Sequence, residues 1–64
     1  MTLREARFFK GFSQWDLSIK TSIPQTKISL IENGYVMPNE KEKKKLASAL
    51  GKRELELFQA SEGA

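Results

Sequence analysis

Apolar residues recur along this chain in short, helix-spaced groups, and each group is bounded by residues that start or stop helices. Thr2 and Glu5 form a T-x-x-E capping box ahead of the first group. The helix that follows should run to about Lys10 and stop at Gly11, which can take the left-handed position past a helix end. Leu3, Ala6 and Lys10 share a face with Arg7, which sets an arginine against the inward side, while Phe8 and Phe9 fall beside or off that face. Phe12 is placed to plug the junction with the next helix. Ser13 caps a second helix, with Asp16 three residues on. Leu17 points inward, and Trp15 and Ile19, four apart, make a separate apolar stripe.

Thr21-Ser22-Ile23-Pro24 breaks the pattern. Pro24 suits the first turn of a third helix, where its missing N–H goes unused. That helix, Gln25 to Asn33, should bury Ile28 and Ile31 and end at Asn33-Gly34. Pro38 keeps the stretch before it out of helical geometry. Asn39 caps a fourth helix that begins at Glu40, turns Leu46, Ala47 and Leu50 inward, and stops at Gly51. A short fifth helix, about Arg53 to Gln59, contributes Leu55 and Phe58, and 60–64 should fray. No segment alternates with period two, so the expected class is all-α with five helices. Ser13–Gly34 then reads as a helix-turn-helix: two short helices about a tight break, the second opening on small polar groups. Such a unit places its second helix in the DNA major groove.

Composition narrows this picture. With 64 residues the chain forms one domain, expected over 1–59, which buries only ~60% of the surface of its unfolded form. There is no cysteine to staple it. A net charge of +3 and a pI near 9.5 favour polyanionic partners. The N-terminus lacks the apolar core of a signal peptide, and no run approaches a membrane span, so a soluble, cytoplasmic protein is expected. The lysines are not opposed by the broad apolar face of a membrane-surface helix. With no histidine, no cysteine and no phosphate-cradling glycine loop, neither catalysis nor a metal or cofactor is expected.

Gly11-Phe12-Ser13-Gln14, Leu17 with Ile23, Ile28-Ser29 and Ile31-Glu32-Asn33-Gly34 together resemble the Cro-type (XRE) helix-turn-helix family of phage repressors. Pro38, Leu46-Ala47-Ser48-Ala49-Leu50-Gly51, Leu55 and Phe58 extend the similarity over about Leu3 to Phe58. The resemblance implies a compact five-helix bundle of the phage-repressor type that binds operator DNA as a transcriptional regulator. It also implies roles for particular residues. Gln25, Thr26 and Leu30 match positions that face base edges, with Ser29 beside them. Gln14 matches a phosphate contact, as do Asn33 and the Gly34 amide. Arg7 and Glu32 match a buried ion pair joining the first and third helices. The chain departs from the family at Ser22, where glycine is usual, and at Pro24, where Ser or Thr usually caps. Thr21 and Lys43 replace aliphatic residues, and Phe9, Trp15 and Ile19 replace polar ones.

The residue types suit that role. The Gln25 amide donates and accepts together, so it can pair bidentately with adenine, which is worth about 1–3 kcal/mol of discrimination. Thr26 offers a hydroxyl and a methyl, and Leu30 offers only apolar contact, as to a thymine methyl. Lys27 either reaches a phosphate or lays its stem along the helix interface. Lys41, Lys43, Lys44 and Lys45 form a mostly solvated run, from which Lys41 and Lys44 are candidates to flank the backbone. The expected partner is double-stranded operator DNA, bound as a homodimer formed on DNA or through the last helix. The rival reading is a protein-interaction module, antitoxin-like, that uses the Trp15/Ile19 surface.

Overall fold

Thr2, Ser13 and Asn39 each accept from the backbone N–H three residues on, and each receives a carboxylate in return. The distances are 3.0 and 3.0 Å for Thr2–Glu5, 3.0 and 2.8 Å for Ser13–Asp16, and 2.8 and 2.9 Å for Asn39–Glu42. These reciprocal caps satisfy N–H groups that a helix start leaves without partners. They fix the first residue of three helices in a computed structural model that describes residues 2–58. The helices are α1 (Leu3–Phe9), α2 (Gln14–Thr21), α3 (Gln25–Glu32), α4 (Glu40–Leu50) and α5 (Glu54–Phe58). No strand occurs among the described residues, so the chain is all-α. The expected ending of α5 at Gln59 and the 60–64 tail lie outside the described residues.

The helix ends follow from backbone chemistry. Gly51 closes α4 at φ +66°, and the Lys10 ammonium lies 3.5 Å from where a Cβ would project there. α4 has no basic residue of its own in its last turn, so Lys10, the C-cap of α1, places a cation near its carbonyl end. Lys10 is therefore at the rim of the inward face, exposed, while Leu3 and Ala6 are buried.

α2 closes instead on Ser22 at φ +61°, the one left-handed non-glycine among the described residues. A side chain there costs ~1 kcal/mol or more, whereas glycine loses more freedom on folding. Ser22→Gly should therefore raise stability by roughly 0.5 kcal/mol, read as a higher urea midpoint at unchanged slope. A lower midpoint would show that the serine supplies something the backbone strain does not offset.

Pro24 stands at the position before α3, which begins at Gln25 as expected. It is the N-cap of α3, at φ −56° and ψ 142°, and its carbonyl accepts from the Lys27 and Ile28 amides at 3.0 Å each. Its ring offers no side-chain cap.

Leu3, Ala6, Leu17, Ile23, Ile28, Ile31, Leu46, Ala47, Leu50 and Leu57 form the core, with Phe12, Val36, Ala49 and Phe58 packed around it. α2 lies against both α3 and α4, and α5 bridges α4 and α1. Thr21 is buried in this apolar setting without an unmet polar atom. Its hydroxyl donates to the Leu17 carbonyl at 2.7 Å and accepts from the Ile23 amide at 3.3 Å. The expectation for α5 is half corrected: Leu57 is the buried residue, Phe58 packs at the edge, and Leu55 is 72% exposed. In a five-residue helix the inward face is one or two positions wide, and apolar spacing cannot choose between Leu55 and Leu57. No helix among the described residues is long and apolar enough to cross a membrane.

Candidate nucleic-acid interface

α3 presents three kinds of side chain. Ile28 and Ile31 are buried, Thr26 and Leu30 are exposed, and Gln25, Lys27 and Ser29 lie half-buried between them. The turn of Ser22, Ile23 and Pro24 joins α2 to α3: Ile23 drops into the core and Pro24 caps the new helix.

A chain of polar contacts runs beneath this surface. The Gln25 Nε2 donates to Gln14 Oε1 at 2.6 Å, and Gln14 Nε2 donates to Glu32 Oε1 at 3.0 Å. Glu32 also accepts from Arg7, through Nε at 2.7 Å and Nη2 at 3.2 Å, while Arg7 Nη1 donates to the Phe12 carbonyl at 2.9 Å. The Arg7 and Glu32 side chains are only 12% and 3% exposed. One bidentate ion pair thus ties α1 to α3, and the same carboxylate anchors Gln14 of α2.

Both amides retain hydrogen-bonding capacity. A primary amide has two N–H groups and a carbonyl with two lone pairs. After bonding Gln14, Gln25 keeps one N–H and its whole carbonyl, the pair needed to meet adenine N7 and N6. Gln14 keeps one N–H beyond its bond to Glu32. The Gln25 side chain is held, yet its carbonyl and one N–H have no partner among the described residues.

The other candidates are less uniform. Asn33 Nδ2 donates to the Ser29 carbonyl at 2.9 Å, which leaves its second N–H. The Gly34 amide donates to the Ile31 carbonyl at 3.1 Å, so that N–H is already used in the turn that closes α3. Lys27 Nζ lies 2.7 Å from Glu42 Oε2 on α4. Lys41 and Lys44 are exposed, as is Lys45, whereas Lys43 turns toward the body, with its ammonium 6.0 Å from the Phe58 ring centre. α3 has no acidic residue in its first turn and no side-chain cap. Its N-terminal end is therefore open to a negative group.

Two carboxylates elsewhere are held below their ordinary range. For Asp16 the main cause is the Ser13 amide, then its hydroxyl. For Glu42 it is the bond from Lys27, then the Asn39 amide. The sequence signals Glu42 only through N-x-x-E beginning at Asn39, a readable capping pattern. The Gln14–Gln25 contact, between residues eleven apart on different helices, leaves no local trace.

A second surface is apolar. Trp15 is 66% and Ile19 76% exposed on α2, and Phe8 and Phe9 are exposed on α1. Arg4, Glu5 and Phe8 line an open depression of about 260 Å³. Lys20 covers Phe12 at 5.0 Å. Among the described residues no cluster of acidic, histidine or cysteine side chains could hold a metal ion. No family model, curated protein or solved structure matches the chain.

Proposed function

We propose that the chain is a sequence-specific duplex-DNA-binding domain of the phage-repressor type, acting in the cytoplasm as a transcriptional regulator. In this reading α2 and α3 are the helix-turn-helix, and α3 enters the major groove. The observation that carries it is the chain Gln25–Gln14–Glu32–Arg7, which fixes the amide at the start of α3 while leaving its donor–acceptor edge open. A solvated surface glutamine has no need of such support, whereas base readout gains from it. Thr26, Ser29 and Leu30 complete the groove face, and Gln14, Asn33, Lys41 and Lys44 meet phosphates on its flanks. Phosphate contacts fix register and base contacts specify. Two copies on a pseudo-palindrome would place their α3 helices about one turn, ~34–36 Å, apart.

The side chains give no support to a catalytic reading. The chain has no histidine or cysteine, and Glu5, Asp16, Glu32 and Glu42 are committed to caps or ion pairs. The exposure of Trp15 and Ile19 favours one further reading, a protein partner on the outer face of α2. Selecting binding sites from random duplex DNA separates the two. The DNA reading expects a recurrent motif, and the partner reading expects none, with Trp15 fluorescence responding to a protein alone.

A further inference from the structure

We propose that Glu42 holds Lys27 away from DNA, so that the recognition helix carries a latent phosphate ligand and reads bases with neutral groups alone. The inference rests on the DNA-binding reading and concerns a specificity-determining residue outside α3.

The geometry points this way from both partners. Lys27 is the third residue of α3, between exposed Thr26 and buried Ile28, and its side chain is 39% exposed at the edge of the candidate groove face. A free ammonium there would find a phosphate on any sequence, because such contacts carry no base information. It would also sit against the positive end of its own helix, which is unfavourable. Glu42 removes both problems. Its Oε2 takes the ammonium at 2.7 Å and its Oε1 accepts from the Asn39 amide at 2.9 Å, so both oxygens are engaged and the carboxylate is braced by the capping box of α4. The Glu42 side chain is 15% exposed, so water screens it less than a surface carboxylate. The Lys27 stem is flexible, and loss of Glu42 would let the same ammonium swing outward.

Glu42→Gln isolates this role, because glutamine at the same position preserves the capping box. Binding of the full chain to a mixed-sequence duplex would be followed across a range of salt. E42Q should tighten that binding and steepen the log affinity against log salt slope by about 0.9, the value for one added phosphate. Its preference for a selected site over mixed sequence should fall. Lys27→Gln in the otherwise unchanged chain should leave the slope where it was, and adding it to E42Q should remove the gain. Glu40→Gln makes the same change in net charge on the exposed first turn of α4 and loosens only a 3.8 Å contact to Lys43, whose ammonium faces the Phe58 ring, so it should not steepen the slope. An unchanged slope in E42Q overturns the proposal, as does an equal effect of Glu40→Gln or a shallower slope in Lys27→Gln alone.

A second readout needs no DNA. Acetylation of the Lys27 amine, followed by mass spectrometry, should be slower than that of exposed Lys44 in the wild type and match it in E42Q. Equal rates in the wild type overturn the latch itself. Protection of Lys27 in a chain that binds no duplex overturns the DNA reading, and this role of Glu42 with it.

Discussion

Glu32→Ala should cost about 3–5 kcal/mol of folding stability, the range for removing one partner of a buried ion pair. The Glu32 side chain is 3% exposed and receives three hydrogen bonds, two from Arg7 and one from Gln14. Alanine removes every acceptor at once. Arg7 keeps its bond to the Phe12 carbonyl, but its charge is left unmatched at 12% exposure. At ~0.05–0.15 kcal/mol per residue, a domain of this size has roughly 3–10 kcal/mol in total. The variant should therefore lose much of its helical circular dichroism at room temperature or unfold at very low urea. Replacing both partners, Arg7→Met with Glu32→Leu, should recover most of the loss, because no stranded charge remains. A cost below ~1 kcal/mol for Glu32→Ala would place the pair with ordinary surface salt bridges.

Gln25→Ala should reduce discrimination at one base position by about 1–3 kcal/mol, or roughly 5–150-fold in relative affinity. Its binding to mixed sequence should change little, since Gln25 is proposed to touch bases and not phosphates. From the sequence alone, Gln14→Ala would weaken all sites alike. The 2.6 Å contact between the two amides alters that expectation. Removing Gln14 also frees Gln25, so Gln14→Ala should lose some base preference in addition to a uniform loss. The two substitutions should then be less than additive at the preferred base. Strict additivity, measured with the preferred and substituted duplexes, would mean the contact does not support readout.

The parts of the fold that depend on neighbours in sequence were legible there. Thr2–Glu5 and Ser13–Asp16 are local capping patterns, and both form. Leu17, Ile28, Ile31, Leu46, Ala47 and Leu50 follow helical spacing, and all are buried. Leu57 is not legible there, because a five-residue helix carries too few positions to define a face. Pro24 stands at the N-cap and α3 begins at Gln25 as its pattern implies, because the fixed φ of proline suits the start of a helix.

The candidate site was legible to a different degree. Its residues, Gln14, Gln25 and Glu32 among them, came from the likeness of short motifs to one family. What joins them is long-range: Arg7 to Glu32 spans 25 residues and Gln14 to Glu32 spans 18. Helical spacing has no term for such contacts. The ion pair of Lys27 with Glu42, which joins α3 to α4, is of the same kind.

Trp15, Ile19, Phe8 and Phe9 lie outside the core, on the outer sides of α1 and α2. The proposed DNA contacts give them no task. They are the natural place to look for a protein neighbour in a chain whose α3 is proposed to bind DNA.

The most direct test of the central claim is selection of bound sites from a pool of random duplexes, followed by titration of the recovered site against mixed sequence at fixed salt. The account predicts a short recurrent motif with adenine at the position lost in Gln25→Ala. It also predicts a specific affinity that exceeds the mixed-sequence affinity by several orders of magnitude, in the range of about 10³ or more. A pool that returns no motif, or a recovered site bound no tighter than mixed sequence, would contradict it.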